Sequence, residues 1–336
     1  MKKFFLAAVY LLSCSPFLFA QGSTEDFEIS LPEQKIENSF YRTIQCIDSR
    51  FDTTNMGIVQ LGLFNRKTLV RPVIPFCTQL TSVMNALIDS TAKEGELLLQ
   101  VRQLNFAEIT AATSEKGYFH LNAILYSNSN GFYQKINSID TVILIKAMDV
   151  TRAMFRRGSK TLTGFLASSL LIEPTGREYY NLKDIASIDS LEKRKITVYN
   201  TSAYTDGLYL TYQSFMNQIP DKQINVEKKG EKISAVKTFD ENGKSIKVKL
   251  KDIYAIVNEG KPFLATTYGY YPLQKINDDF LFTGKAKVTA NTGNVMVASF
   301  FFGIFGALIA SDADALFEIK IDHMTGGIIH LREIKQ

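Results

Sequence analysis

The first twenty residues decide where the rest of the chain folds. Lys2 and Lys3 are followed by an apolar run over residues 4–12, and a small residue, Ala20, precedes Gln21. A basic start, a short apolar stretch and a small residue before a polar one are typical of a secretory signal peptide. The run is too short to span a bilayer, so we expect cleavage after Ala20 and folding outside the cytoplasm.

The same segment contains an alternative processing site. Residues 11–14 read Leu-Leu-Ser-Cys, which resembles the site at which a bacterial lipoprotein is cleaved and lipidated on its cysteine, here Cys14. Apolar residues continue past Cys14 to Phe19, whereas a lipoprotein usually becomes polar at this point. We therefore prefer cleavage after Ala20 and keep lipidation of Cys14 as the alternative.

The composition after processing is that of a globular protein without a dominant charge. The chain has 38 basic and 34 acidic residues, and removal of Lys2 and Lys3 lowers the net charge from +4 to +2. So small a net charge gives no reason to expect a nucleic acid as a partner. Hydrophobic residues make up 46% of the chain, which is enough for a full core, and the length suits about two domains.

Two cysteines remain after cleavage at Ala20. Cys46 and Cys77 fold in an oxidising compartment on this interpretation, which permits a disulfide between them. Two buried free thiols are the equally simple alternative, because the sequence does not give the Cα separation that a bridge requires.

Apolar periodicity divides the mature chain into an αβ part and a β-rich part. Residues 21–40 are polar with little periodicity and are predicted to form a disordered lead. Residues 41–172 combine β-branched stretches with helical patterns at 76–93 and 147–172, which predicts a small sheet packed with two helices. Residues 173–198 are predicted to form a linker.

Residues 199–336 contain short strand patterns separated by turns, with glycines at several of them, among them Gly207, Gly243 and Gly269. Evenly spaced short strands with tight turns are typical of a sandwich or an open barrel. The predicted fold class is therefore α+β, with an N-terminal αβ domain followed by a β-rich sandwich or barrel-like domain.

Residues 295–310 form an uncharged apolar segment between two polar turns. As a helix rising about 1.5 Å per residue it would cover roughly 24 Å, which is less than the ~30 Å hydrocarbon core of a bilayer. We expect a helix or tight hairpin buried in the β-rich domain. Membrane insertion or self-association is the alternative, because small residues recur along one side and let apolar helices approach closely. The residues that would mediate it are Ser299, Phe300, Gly303, Gly306, Ala307 and Ala310.

The sequence contains no motif of a catalytic, cofactor-binding or metal-binding site. The histidines, His120, His323 and His330, lack the partner spacing of a zinc site. Gly243-Lys244-Ser245 is better explained as a hairpin turn than as part of a phosphate loop, because Thr238 stands where that motif requires glycine. We therefore predict no catalytic residue, no cofactor and no metal.

Part of the chain resembles the auxiliary lipoproteins of ABC-type lipid transporters. The resemblance covers residues 42–172 and is carried by a strand ending in Asp48-Ser49-Arg50, by Gly57, by the helix at 76–93 and by the stretch 97–108. It implies a small periplasmic αβ domain that assists lipid transport, and the preferred cleavage at Ala20 departs from that family's lipid anchor.

A second resemblance concerns the ends of the chain. The signal peptide and residues 200–336 look similar to those of secreted proteins of the Bacteroides group, whose role is unassigned. This likeness implies a Gram-negative cell envelope and transfers no functional residue.

These observations predict a non-enzymatic exported protein, in the periplasm or at the outer membrane, that acts as a binding or adaptor module. The expected partner is an envelope protein or a lipid surface, and the oligomeric state stays open. The rival prediction is an enzyme whose site is assembled from scattered residues. A deep pocket that holds Asp48, Arg50 or His120 beside another titratable group would favour the enzyme.

Overall fold

A computed structural model describes residues 24–50, 53–62, 65–111, 114–285 and 316–334. The signal peptide with Cys14 lies outside the described residues, and so does the segment 295–310 with Ser299, Phe300, Gly303, Gly306, Ala307 and Ala310. The described chain is mixed α+β, with an N-terminal αβ region followed by a β-rich region. The fold class predicted from the sequence is confirmed.

The helices are α1 (Phe76–Leu87), α2 (Val150–Ser169), α3 (Leu182–Ala186), α4 (Ile188–Lys193), α5 (Thr197–Asn200) and α6 (Tyr212–Met216), with a 3-10 turn at Leu250–Asp252. The N-terminal strands are β1 (Thr24–Phe27), β2 (Tyr41–Asp48), β3 (Gly57–Leu61), β4 (Arg66–Pro72), β5 (Gly95–Ala111), β6 (Ser114–Ser129) and β7 (Phe132–Ile145). The C-terminal strands are β8 (Gly207–Tyr209), β9 (Asn225–Lys229), β10 (Lys232–Phe239), β11 (Ser245–Lys247), β12 (Ala255–Asn258), β13 (Lys261–Thr266), β14 (Gly269–Pro272), β15 (Gln274–Ile276), β16 (Asp279–Gly284), β17 (Leu316–Ile321) and β18 (Ile328–Ile334).

The N-terminal region is built on a seven-stranded sheet, which is larger than the small sheet expected from the sequence. Its strands lie in the order β1-β4-β3-β5-β6-β7, and β2 also pairs with β5. β5 is 17 residues long, so β2 pairs in parallel with its first half and β3 with residues near its end. On its other side β5 forms a long antiparallel ladder with β6, and β6 forms another with β7.

The two long helices cover one face of this sheet. The apolar side of α1 buries Leu80, Val83 and Met84 against the alternate β5 side chains Leu97 and Leu99, as expected from the helical and strand periods. A disulfide between Cys46 of β2 and Cys77 of α1 joins helix and sheet, with the two Cα atoms 5.5 Å apart. The helix α2 packs over the β6 and β7 end of the same face.

The segment after residue 23 differs from the disordered lead expected for residues 21–40. β1 pairs in parallel with β4, and Phe27 and Ile29 are buried in the main core. The main-chain N–H of Ile29 donates to Oε1 of the buried Gln79 at 2.8 Å. Four strand residues are too few to show a period, and polar neighbours dilute the two apolar anchors, so the composition alone indicated disorder.

The described residues of the C-terminal region form three smaller sheets, in the orders β11-β10-β9, β14-β13-β12-β8 and β15-β16-β17-β18. Its core includes the fully buried Tyr209, Phe215 and Phe280 together with Ile319. β17 and β18 form a hairpin, as predicted for the end of the chain. No helix among the described residues is long and apolar enough to cross a membrane.

The stretch 173–198 contains α3, α4 and the start of α5, and it packs on the face of the large sheet opposite α1 and α2. Ile185 is buried there with Leu98 and Tyr126, and its carbonyl accepts a hydrogen bond from the Gln100 side chain at 2.9 Å. Leu98 and Gln100 alternate with the β5 residues that face the helices. The next residue on this second face is Arg102.

Candidate functional site

Arg102 lies at the centre of a group of charged residues, which we call the Arg102 cluster (Arg102, Asp189, Glu192 and His323). Its Nη2 donates to Asp189 Oδ1 at 2.6 Å, and Nη1 and Nη2 donate to the two Glu192 oxygens at 3.1 and 2.9 Å. Both carboxylates come from α4. This is a bidentate guanidinium–carboxylate pair with a second carboxylate added, a geometry that binds more strongly than single neutral hydrogen bonds.

His323 joins the cluster from the turn between β17 and β18. The residue is 3% exposed, and its Nε2 lies 2.8 Å from Glu192 Oε2 and 3.5 Å from Arg102 Nη2. The hydroxyl of Tyr212 donates to the His323 carbonyl at 2.6 Å. Gly326 has φ +73°, and a Cβ at this position would lie 2.1 Å from the Tyr212 ring. The turn that presents His323 is therefore fixed by its backbone.

A second group of ion pairs lies beside the cluster. Nζ of Lys193, the last residue of α4, is 2.5 Å from Asp279 Oδ1 of β16, and Lys320 Nζ of β17 is 3.0 Å from the same oxygen. Lys193 is 7% exposed. Thus α4 contacts the large sheet through Asp189 and Glu192, and the C-terminal sheet through Lys193.

The charges of the cluster shift the pKa values of its members. Burial acts to raise the pKa of Glu192, but the hydrogen bond with His323 and the charge of Arg102 outweigh it, so the pKa lies below its ordinary value. Burial likewise opposes a lowered pKa at Asp189, and Arg102 outweighs it. The pKa of Arg102 is raised, because the two carboxylates outweigh its own burial.

A cleft of about 130 Å³ opens next to the cluster, with Ser49, Asn122 and Ile329 among the residues that line it. The ligand atoms of Asp189, Glu192 and His323 lie within 4.8 Å of one another, and carboxylates and imidazole are ligands of zinc. Arg102 nevertheless already donates to both carboxylates, and its charge would repel a cation at the same place. The geometry therefore fits a structural ion-pair cluster that joins the two regions better than it fits a metal centre.

A second candidate site follows the free side of β7. Among the described strands it is the last of the large sheet. The main-chain groups of Tyr133 exchange two hydrogen bonds of 2.8 Å with those of Tyr180, and the Gln134 side chain donates to the Gly176 carbonyl. Residues 176–180 are thus tied to the beginning of the β7 edge.

Beyond Tyr133 the strand and the 176–180 segment diverge, and a cleft of about 460 Å³ opens between them. We call it the β7 edge cleft. It is lined by Lys135, Ile136, Asn137, Ser138, Gly176, Arg177, Glu178 and Tyr180.

The main-chain groups of β7 beyond this cleft point away from β6 at alternate residues. A bulge at Ile136 shifts the β6–β7 register, and the N–H of Ser138 donates to Asn137 Oδ1 at 2.8 Å. Alternate residues of an antiparallel strand present both main-chain groups to the same side. Asp140, Val142 and Leu144 follow Ser138 at this spacing, and among the described residues no other strand pairs with them.

The charged residues of the β7 edge cleft differ in whether they already form hydrogen bonds or ion pairs within the protein. The Tyr180 hydroxyl donates to Glu178 Oε2 at 2.6 Å, and Lys195 Nζ lies 3.7 Å from Glu178 Oε1. Hydrogen bonding to Glu178 raises the pKa of Tyr180 to about 12, and the same contacts lower the pKa of Glu178. Within the described part of the chain, no ion pair involves Lys135 or Arg177, and both are exposed.

Asp48, Arg50 and His120, which would favour an enzyme if they lined a deep pocket, have structural partners instead. Arg50 is 6% exposed and donates to Asp48 through Nε and Nη2 at 2.8 and 2.7 Å, and also to the carbonyls of Thr53 and Asn55. It therefore holds the turn before β3. His120 Nε2 lies 2.9 Å from Asp140 Oδ1. The side chain of His330 lies outside the description.

Sequence reasoning missed both candidate sites. No role was predicted for Arg102, which lies in the stretch 97–108, and the charged stretch that contains Asp189 and Glu192 was assigned to a linker. The alternation of Leu98, Gln100 and Arg102 could have placed the arginine on the second face of the sheet. Its partners lie 87, 90 and 221 residues away, and no local pattern reveals such distances.

Comparisons with known proteins do not assign a family. No family model matches the chain, and no curated protein sequence matches it. Among solved structures, an uncharacterized protein aligns with 44% of this chain and 97% of its own, at 12% identity and a TM-score of 0.27. Protein XCC0632 from Xanthomonas campestris, described as belonging to the family DUF330, aligns with 50% of this chain and 99% of its own, at 11% identity and a TM-score of 0.29.

Proposed function

We propose that this chain is a non-enzymatic, exported cell-envelope protein that binds another envelope protein and acts as an adaptor. Export is supported by the signal peptide pattern of residues 1–20. In its most specific form the proposal places the adaptor in envelope lipid transport, and this form is supported by the resemblance of residues 42–172 to auxiliary lipoproteins.

The observation that carries the binding role is the free side of β7. The strand has 14 residues, and its residues 139–143 are mostly β-branched and apolar. A long edge of this kind is a template for another strand, which adds through main-chain hydrogen bonds. Tyr180 already uses the edge in this way at Tyr133, so the start of the strand accepts a partner in the folded protein.

The Arg102 cluster supports the same role by fixing the scaffold. It connects β5 of the large sheet, α4 and the β17–β18 turn through one guanidinium and its partners. Ion pairs of this geometry restrict the relative positions of the elements that supply them. The large sheet would then present β7 from a rigid body, which lowers the entropic cost of binding.

Affinity purification from solubilised envelopes tests the proposal. Ser138→Pro removes the main-chain N–H that donates to the Asn137 side chain, so this position of the strand can no longer donate to a partner. Ser138→Ala keeps that N–H and is the matched control. We expect the wild-type protein and Ser138→Ala to co-purify with an envelope protein that Ser138→Pro loses.

Two results would contradict the proposal, provided that both variants melt at the wild-type temperature. Recovery of the wild-type protein without any partner would count against an adaptor. Retention of the partner by Ser138→Pro would count against the β7 edge as its binding site.

A second candidate, an enzyme assembled from scattered residues, is favoured by the cleft beside the Arg102 cluster. That cleft brings a histidine, an arginine and two carboxylates next to open space. This candidate would replace the first if the purified protein hydrolysed ester, phosphoester or glycoside substrates and His323→Gln abolished turnover without shifting the melting temperature.

A further inference from the structure

We propose that the β7 edge cleft accepts an acidic side chain, so that the partner segment that adds to β7 carries aspartate or glutamate at the end that reaches Lys135 and Arg177. This inference rests on the proposed binding function and specifies the chemistry of the partner at the same site.

The argument starts from the two cations. Lys135 belongs to β7 and Arg177 to the 176–180 segment, so they line the cleft from opposite sides. The carboxylate in the lining, Glu178, is engaged by Tyr180 and Lys195. The cleft therefore presents two positive charges that are not neutralised within the described part of the chain. Arginine and lysine together hold a carboxylate through charge-assisted hydrogen bonds.

The cleft is also preformed. The 176–180 segment is anchored at one end by the Gln134 side chain and at the other by the Tyr133 main chain. The volume of the cleft, about 460 Å³, lies within the range of roughly 300 to 1,000 Å³ that is usual for ligand clefts. Part of the entropic cost of ordering the site is thus met before a partner arrives.

The position of the acidic residue in the partner follows from the charges along the edge. Asp140 lies farther along β7, and its carboxylate contacts His120. An acidic residue opposite Asp140 would be repelled, whereas Val142 and Leu144 favour apolar or β-branched neighbours. We therefore expect acidic residues at one end of the added strand and β-branched residues along the rest.

Fluorescence anisotropy with two labelled decapeptides tests the inference. Both peptides alternate threonine and valine over eight residues, and one ends in Glu-Glu while the other ends in Lys-Lys. The Glu-Glu peptide should bind at least about tenfold more tightly, because its carboxylates accept charge-assisted hydrogen bonds from Lys135 and Arg177. The double variant Lys135→Ala/Arg177→Ala should bring the two Kd values together.

The matched control is Lys229→Ala/Lys244→Ala, which removes two exposed cations from the C-terminal region and should keep the preference. Loss of the preference in this control would mean that overall charge explains it, and would overturn the inference. So would equal binding of both peptides, or no binding of the Glu-Glu peptide. If both peptides bind equally and Ser138→Pro weakens the binding of both, only the acidic preference is overturned, because the edge would still bind a strand.

Discussion

Arg102 on β5 and Glu192 on α4 are 90 residues apart in the sequence, and two hydrogen bonds of 3.1 and 2.9 Å join them. Arg102→Met should lower the free energy of unfolding by about 1 to 3 kcal/mol, because it leaves two partly buried carboxylates without their cation. The estimate is below the value for fully buried pairs since the Asp189 side chain is 49% exposed.

The control for this variant is Arg152→Met. Arg152 pairs with Asp149 at 3.5 Å, and its side chain is 80% exposed, so the loss should be about 1 kcal/mol or less. Urea unfolding of both variants measures the difference. Equal losses would mean that the Arg102 cluster does not hold the two regions together.

The same cluster predicts a loss of stability in acid. The pKa values of Asp189 and Glu192 lie below the ordinary values of 3.8 and 4.5, so the unfolded chain binds these protons more tightly than the folded protein. Their stabilisation is complete above the ordinary values and is lost as the pH falls through the lower values of the folded state.

Urea unfolding at a series of pH values from about 6 down to about 3 checks this prediction. The free energy of unfolding should fall less steeply in the double variant Asp189→Asn/Glu192→Gln than in the wild-type protein. Glu33→Gln, an exposed carboxyl in the N-terminal segment, should keep the wild-type slope. Parallel curves for all three proteins would contradict the assignment of the shifts.

Alanine substitutions at two glycines distinguish the cost of backbone strain from the cost of a steric clash. Gly326 and Gly243 have nearly the same φ, +73° and +75°, but an added Cβ would meet the Tyr212 ring only at Gly326. Gly243→Ala should cost about 1 kcal/mol, the cost of the left-handed conformation. Gly326→Ala should cost a further 1 to 3 kcal/mol or so, because Tyr212 must move. Equal melting temperatures for the two variants would refute this packing.

Local patterns were enough to predict the parts of the fold that depend on neighbours in sequence. The spacing of Leu80, Val83 and Met84 predicted α1, although the helix ends at Leu87 and not near 93, because Ile88 pairs with Ile36 in a β-bridge. The helix α2 begins at Val150 and not at 147, because Asp149 caps it with a side chain that accepts the N–H of Arg152.

Features that depend on distant residues could not be predicted. The parallel pairing of β2 and β3 along β5 brings together segments that no periodicity relates. Arg102 has the appearance of an ordinary exposed strand residue until α4 is folded over it. The bridge between Tyr133 and Tyr180 is likewise set by the path of the chain after α2.

The apolar segment 295–310 yields a prediction from its sequence. We expect it to pack against the β-rich region, so Gly303→Leu should overpack it and lower the free energy of unfolding by roughly 1 to 3 kcal/mol. If the segment instead inserts into lipid or self-associates, the variant should chiefly weaken membrane partition or oligomer formation. Unchanged melting together with unchanged partition and oligomeric state would contradict both interpretations.

The central claim, that the free side of β7 binds a partner, is tested most directly by photo-crosslinking in cells of the native host. A photoreactive amino acid replaces Leu144 on β7 or, as the control, Ile246 on β11, two apolar edge-strand residues that are 49% and 42% exposed. We predict one discrete crosslinked envelope protein for position 144 and none for position 246. No crosslink at position 144, or the same products at both positions, would contradict the claim.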